Sequence, residues 1–108
     1  MDSTVTPLCR RAVRVRGQVQ GVGFRPFVYR LAQDLALSGR VLNDGAGVQI
    51  EVQGSTARLD EFVDRLAREA PRLARIDAVE FRAAEPKRNE KQFVIDASAG
   101  GPVSTGVT

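Results

Sequence analysis

The sequence predicts an α+β sandwich in which two helices cover one face of an antiparallel sheet of four to five strands. Three observations carry this expectation. Alternating apolar residues mark strands at Val13, Val15 and Val19, and again at Val48, Ile50 and Val52. Two helical stripes, Phe24-Phe27-Val28-Leu31-Leu35 and Leu59-Phe62-Val63-Leu66, lie between strands with the spacing of one buried helix face. The order strand, helix, strand, strand, helix, strand is that of a split β-α-β unit.

The elements follow in order. Residues Met1 to Leu8 carry Ser, Thr and Pro without periodicity, so residues 1–9 read as a flexible leader before a domain over residues 10–97. The first strand covers about Arg11 to Val19. It runs into Gly17-Gln18-Val19-Gln20-Gly21-Val22-Gly23-Phe24-Arg25-Pro26, whose glycines allow a tight turn and whose proline suits a first helical turn. The first helix extends from near Pro26 to about Leu37, where Gly39 is placed to stop it. A short strand, Arg40 to Asn43, is followed by the turn Asn43-Asp44-Gly45-Ala46-Gly47. The third strand puts Val48, Ile50 and Val52 inward and Gln49, Glu51 and Gln53 outward. Ser55 or Thr56 caps the second helix and Pro71 closes it. A fourth strand, about Ile76 to Ala83, sets Val79, Phe81 and Ala83 on one face. A polar loop from Glu85 to Lys91 leads to a short fifth strand with Phe93 and Ile95 inward. Residues 98–108, rich in Ser, Gly and Thr, read as a linker.

Length and composition narrow the function. At 108 residues with 43% hydrophobic and 27% charged residues, the chain suits one globular domain with one modest core. No apolar run approaches the roughly 18 residues that cross a membrane, and the first residues lack the features of a signal peptide. A lone cysteine, Cys9, forms no internal disulfide, so a cytoplasmic protein with no membrane partner is expected. The net charge of +3 draws on Arg10, Arg11, Arg14 and Arg16. Arg14 and Arg16 alternate with Val13 and Val15, as on the solvent side of a strand, so a nucleic-acid partner is not expected. The chain has no histidine, hence neither the commonest general base nor the commonest zinc ligand, and no metal or cofactor is expected in this domain.

The glycine loop invites an anion. Unpaired amides and the positive end of a helix dipole favour negative charge, and Arg25 adds a planar fork of donors there. The same loop can also be no more than a tight turn. Neither the P-loop pattern nor the dinucleotide fingerprint fits: Val22 stands five residues after Gly17 with no lysine following, and Gly21 and Gly23 are followed by Pro26. A single phosphate group suits the loop better than a nucleotide. A right-handed crossover makes the first two strands parallel with another strand between them. Their C-terminal ends then share one edge of the sheet, about 10 Å apart. The glycine loop closes one end and Asn43 the other, across a gap that fits a phosphate and a water.

At these residues the chain resembles the acylphosphatase family. The likeness rests on Gly17-Gln18-Val19-Gln20-Gly21-Val22-Gly23-Phe24-Arg25 and on Gly39-x-Val41-x-Asn43, and spans about Arg11 to Ile95. It implies a ferredoxin-like fold and a small acyl phosphate substrate. It also implies a phosphate cradle formed by Gln18, Val19, Gln20, Gly21, Val22, Gly23, Phe24 and Arg25, with Arg25 and Asn43 as the catalytic pair and Asn43 orienting the attacking water. Gly23-Phe24-Arg25-Pro26-Phe27-Val28-Tyr29-Arg30-Leu31-Ala32 is most similar to the N-terminal acylphosphatase-like domain of the HypF-type carbamoyltransferases. That likeness implies hydrolysis of carbamoyl phosphate to carbamate, which ATP-dependent transfer later carries toward the cyanide ligands of nickel–iron hydrogenases. It also implies downstream domains as partners, with this chain a piece of a larger protein. Two departures from the free-standing enzymes stand out: Arg40 occupies a position usually aromatic, and the turn from Asn43 to Val48 is one residue shorter. A phosphate-binding or interaction domain that kept only the fold is the alternative. A ferredoxin-like RNA-binding module shares the element order but needs exposed aromatics on its central strands, and these strands carry none.

Overall fold

A computed structural model describes residues 8–96. The elements are β1 (Cys9–Gln18), α1 (Phe24–Asp34), β2 (Ser38–Asp44), β3 (Gly47–Gly54), α2 (Thr56–Arg68), β4 (Arg75–Ala84) and β5 (Phe93–Ile95). The expected linker at 98–108, and all of the expected leader except Leu8 and Cys9, lie outside the described residues; β1 already begins at Cys9.

Two helices lie on one face of a five-stranded sheet ordered β4-β1-β3-β2-β5. β3 is antiparallel to both β1 and β2, so β1 and β2 run parallel on either side of it. The alternation of β1 and β3 works as the sequence requires. Val13 faces Ile50 and Val15 faces Val48 across the ladder, and all four are buried beneath the helices. From above, Phe24, Val28, Leu31 and Ala32 of α1 and Leu59, Phe62 and Leu66 of α2 close the core. α1 covers β2 and β5, whereas α2 covers β3 and β1.

Several expectations need correction. The sheet is mixed, because β5 pairs parallel to β2 through Gly39–Phe93 and Val41–Ile95. The chain leaves β4 at one edge of the sheet and reaches the other by crossing the open face through residues 85–92, so it arrives running with β2. Arg10 belongs to no solvated face. It is buried beneath this crossover, where its guanidinium pairs with Glu51 and, at 2.7 Å, with Glu90. Gln53 secures the same crossing by donating to the Lys87 carbonyl at 2.8 Å and accepting from the Lys87 amide at 2.7 Å. Ile95 points to the helix side yet is exposed, since β5 is the sheet edge, whereas Phe93 is buried. At the opposite edge Phe81 is 52% exposed, with the Arg11 guanidinium 4.9 Å from its ring centroid. α1 ends at Asp34, earlier than Gly39 suggested. Ala36 adopts φ 54°, and this left-handed turn aims Leu37 into the core. Gly39 lies inside β2, where a Cβ would collide with the Glu51 carbonyl oxygen.

Candidate active site

The site is assembled at the end of the sheet where β1 and β2 finish. Val48 of β3 has Val15 of β1 on one side and Asn43 of β2 on the other. Two strand spacings, about 10 Å, therefore separate Asn43 from the last buried turn of β1. The alternation that buries Val41 also turns Asn43 to the helix side of the sheet. Beyond Val15 the chain passes a register shift at Arg16/Gly17, and residues 19–23 then lead into α1. Gly21 and Gly23 sit at φ 75° and 80°, left-handed values that explain why glycine stands at both. A Cβ at either would meet nothing within 4 Å, so the loop borders open space.

The loop is rich in donors. Gly23 caps α1 without any side-chain hydrogen bond, and the first helical amide to find a partner is that of Phe27, donating to the Gly23 carbonyl at 3.1 Å. Among the described residues, the amides of Gln20, Gly21, Val22, Gly23, Phe24 and Arg25 donate to no protein acceptor. Phe24 is buried and tilts against Phe27, 5.6 Å between ring centroids, which pins the start of the helix. Val19 and Phe24 thus anchor the loop in the core, while Gln18, Gln20, Gly21 and Gly23 are exposed and Val22 is half-buried. Arg25 is half-buried in the first turn, and no carboxylate pairs with it among the described residues. A permanent cation and a set of free amides lie together at a helix N-terminus.

Asn43 supplies the complementary feature. Its Oδ1 is buried and has no hydrogen-bond partner among the described residues. A buried carbonyl oxygen left alone is uncommon and calls for a donor such as water. The amide's acceptor and donors can hold one water in a fixed direction. The sequence pattern alone missed Asp44, read there as a turn former only. Its carboxylate is 10% exposed and faces the other side of the sheet. It accepts from the Ala46 amide at 3.0 Å and from Gln49 Nε2 at 3.0 Å, and pairs with Arg14 at 3.2 Å. Burial pushes this carboxyl up, but the bonds from Gln49 and Ala46 and the Arg14 charge outweigh it and hold it below its ordinary value. The sequence signal available for it was an aspartate at the head of a glycine-rich turn, a residue type that bonds the backbone amide two positions on.

The chain is similar to known proteins over most of its length. The model of the acylphosphatase family matches residues 11–95. The carbamoyltransferase HypF of Rhizobium leguminosarum bv. viciae is 48% identical over 102 residues, covering 94% of this chain and 13% of that protein. An acylphosphatase of Caldivirga maquilingensis is 45% identical over 78 residues, covering 70% of this chain and 81% of that one. Among solved structures, full-length HypF in its phosphate- and nucleotide-bound form superposes with a TM-score of 0.84 at 37% identity, over 92% of this chain and 13% of the other. The chain therefore spans about an eighth of the length of these HypF relatives.

Proposed function

Since the chain belongs to the acylphosphatase family and is homologous to the acylphosphatase-like part of HypF proteins, we propose that it hydrolyses an acyl phosphate, carbamoyl phosphate in particular. The observation that carries this reading is the placement of a buried Asn43 Oδ1 near a loop of amides and Arg25, none of which finds a partner among the described residues. The amides of residues 20–25 and the Arg25 fork bind the phosphoryl oxygens and spread the charge of the transition state. Asn43 holds a water on the far side of phosphorus from the leaving group. The water oxygen bonds to phosphorus as the bond to the acyl oxygen breaks, and carbamate leaves with that electron pair. The water proton passes to a phosphate oxygen of the substrate. The acyl phosphate is already activated, so alignment and charge stabilisation suffice without a histidine or a bound cofactor. In a HypF-type parent the carbamate would pass to downstream domains for hydrogenase maturation.

Release of inorganic phosphate from carbamoyl phosphate and from an aromatic acyl phosphate tests the reading. Arg25→Ala should abolish both the turnover and the rise in melting temperature that phosphate gives. Asn43→Ala should lower kcat on the order of a hundredfold while phosphate still stabilises the fold. Phosphate stabilisation without turnover of either substrate would leave a phosphate-binding domain that kept only the fold.

A further inference from the structure

Resting on that reading, we propose that Asp44 is a positioning residue for the reaction: from the opposite face of the sheet it fixes Asn43 against the phosphate loop. The two residues are consecutive at the end of β2, so their side chains point to opposite faces. Asn43 faces the site and Asp44 faces away, where its negative charge is kept off the substrate phosphate. One Asp44 oxygen holds the Ala46 amide and thereby sets the shape of the β2–β3 turn. The other receives Gln49 from the returning strand and Arg14 from β1. The carboxylate thus joins three strands directly behind the peptide that carries Asn43.

The same turn reaches the loop. The Ala46 carbonyl accepts the Gly17 amide at 3.3 Å, and Gly17 immediately precedes the loop residue Gln18. Beside it Gly47 packs so closely on β1 that a Cβ would collide with the Val15 carbonyl oxygen. A turn held in one shape therefore sets the distance between the water-orienting amide and the phosphate-binding loop. An error of about 1 Å in such a distance can cost roughly a hundredfold in rate. Asp44 lies on the face of the sheet opposite Asn43, with its carboxylate engaged by Ala46, Gln49 and Arg14, so its contribution runs through Asn43 and the turn.

The experiment is a double-mutant cycle between Asp44→Ala and Asn43→Ala, with Asp44→Asn as the conservative variant, read as kcat, KM and phosphate affinity on carbamoyl phosphate. Asp44→Ala should lower kcat about ten- to a hundredfold with KM and phosphate affinity within about two-fold of the original chain. Asp44→Asn keeps an acceptor for the Ala46 amide but loses the ion pair with Arg14, so it should recover part of that kcat. If Asp44 acts through Asn43, adding Asp44→Ala to Asn43→Ala should lower kcat no further. Multiplying effects, or an Asp44→Ala kcat within about two-fold of the original, would overturn the positioning role while leaving the hydrolase reading intact. An Asn43→Ala chain as active as the original would overturn the water-orienting assignment and the positioning role with it. Should Asp44→Ala fail to fold, the cycle is completed with Asp44→Asn, where the same two outcomes decide.

Discussion

At the scale of residues, the proposed chemistry divides between a cation that needs shape and an amide that needs a fixed direction. Arg25 sits in the first turn of α1, half-buried and free of any carboxylate among the described residues, so its whole fork is available to an anion. Lysine would keep the charge but offer a point ammonium with no planar pair of donors. If phosphate is aligned by two parallel bonds over the loop amides, Arg25→Lys should lose nearly as much kcat/KM for carbamoyl phosphate as Arg25→Ala. Folding should survive both changes, because the side chain lies at a helix entrance outside the hydrophobic core. A lysine variant within a few-fold of the original would show that charge alone is enough. Asn43 differs in kind, since its buried Oδ1 gains nothing from charge and depends on where the strand end holds it.

At the scale of elements, the helices differ in how they begin. α2 has an ordinary start. Ser55 accepts the Arg58 amide at 3.3 Å, and the Arg58 guanidinium also donates to the Leu35 carbonyl at the end of α1. α1 begins at a glycine with no side-chain cap, which leaves its dipole and amides to a ligand. Removing the Ser55 cap should therefore cost stability and not activity. Ser55→Ala is expected to lower unfolding free energy by about 1 kcal/mol in urea titrations, with kcat unchanged. No loss of stability would mean that the cap adds nothing beyond the packing of Leu59, Phe62 and Leu66. The sheet edges are also unlike. β4 carries charged Arg75, Asp77, Glu80 and Arg82 along an exposed strand, a pattern that discourages pairing with another chain.

At the scale of the whole molecule, two carboxylates tie distant segments together, Asp44 at the site end and Glu51 beneath the crossover. The Arg10 hydrogen bond holds the Glu51 carboxyl below its ordinary value; burial opposes this, and the charges of Arg10, Arg40 and Lys87 add to the lowering. A carboxyl lowered on folding adds stability above its unfolded pKa and loses it as pH falls through the folded value. With no histidine in the chain, stability in urea should be nearly flat from pH 7 to about 5 and decline below about 4, as Glu51 and Asp44 take up protons. Glu51→Gln should make that acid decline shallower. A steady loss of stability between pH 7 and 5 would place the controlling groups elsewhere.

The order of elements, the inward faces of β1 and β3, the stripes of both helices and the shared end of β1 and β2 were all determined by the sequence. Each depends on local periodicity and on one rule of handedness, which short stretches carry in full. The placement of Arg25 at a helix entrance and of Asn43 at the end of the second strand was legible for the same reason, because both follow from local pattern and connection. Only the tertiary structure decided the rest. Periodicity assigns a residue to a face but does not say whether anything covers it. Ile95 and Phe81 therefore lie on the covered side of the sheet and yet are exposed at its edges, while Arg10 on the open side is buried by a crossover whose Glu90 lies 80 residues farther along. Asp44 looked like a turn former until Arg14 and Gln49 were placed around it from two other strands. Partners that meet across the sheet leave no period in the chain; their contact exists only once the strands have found their register.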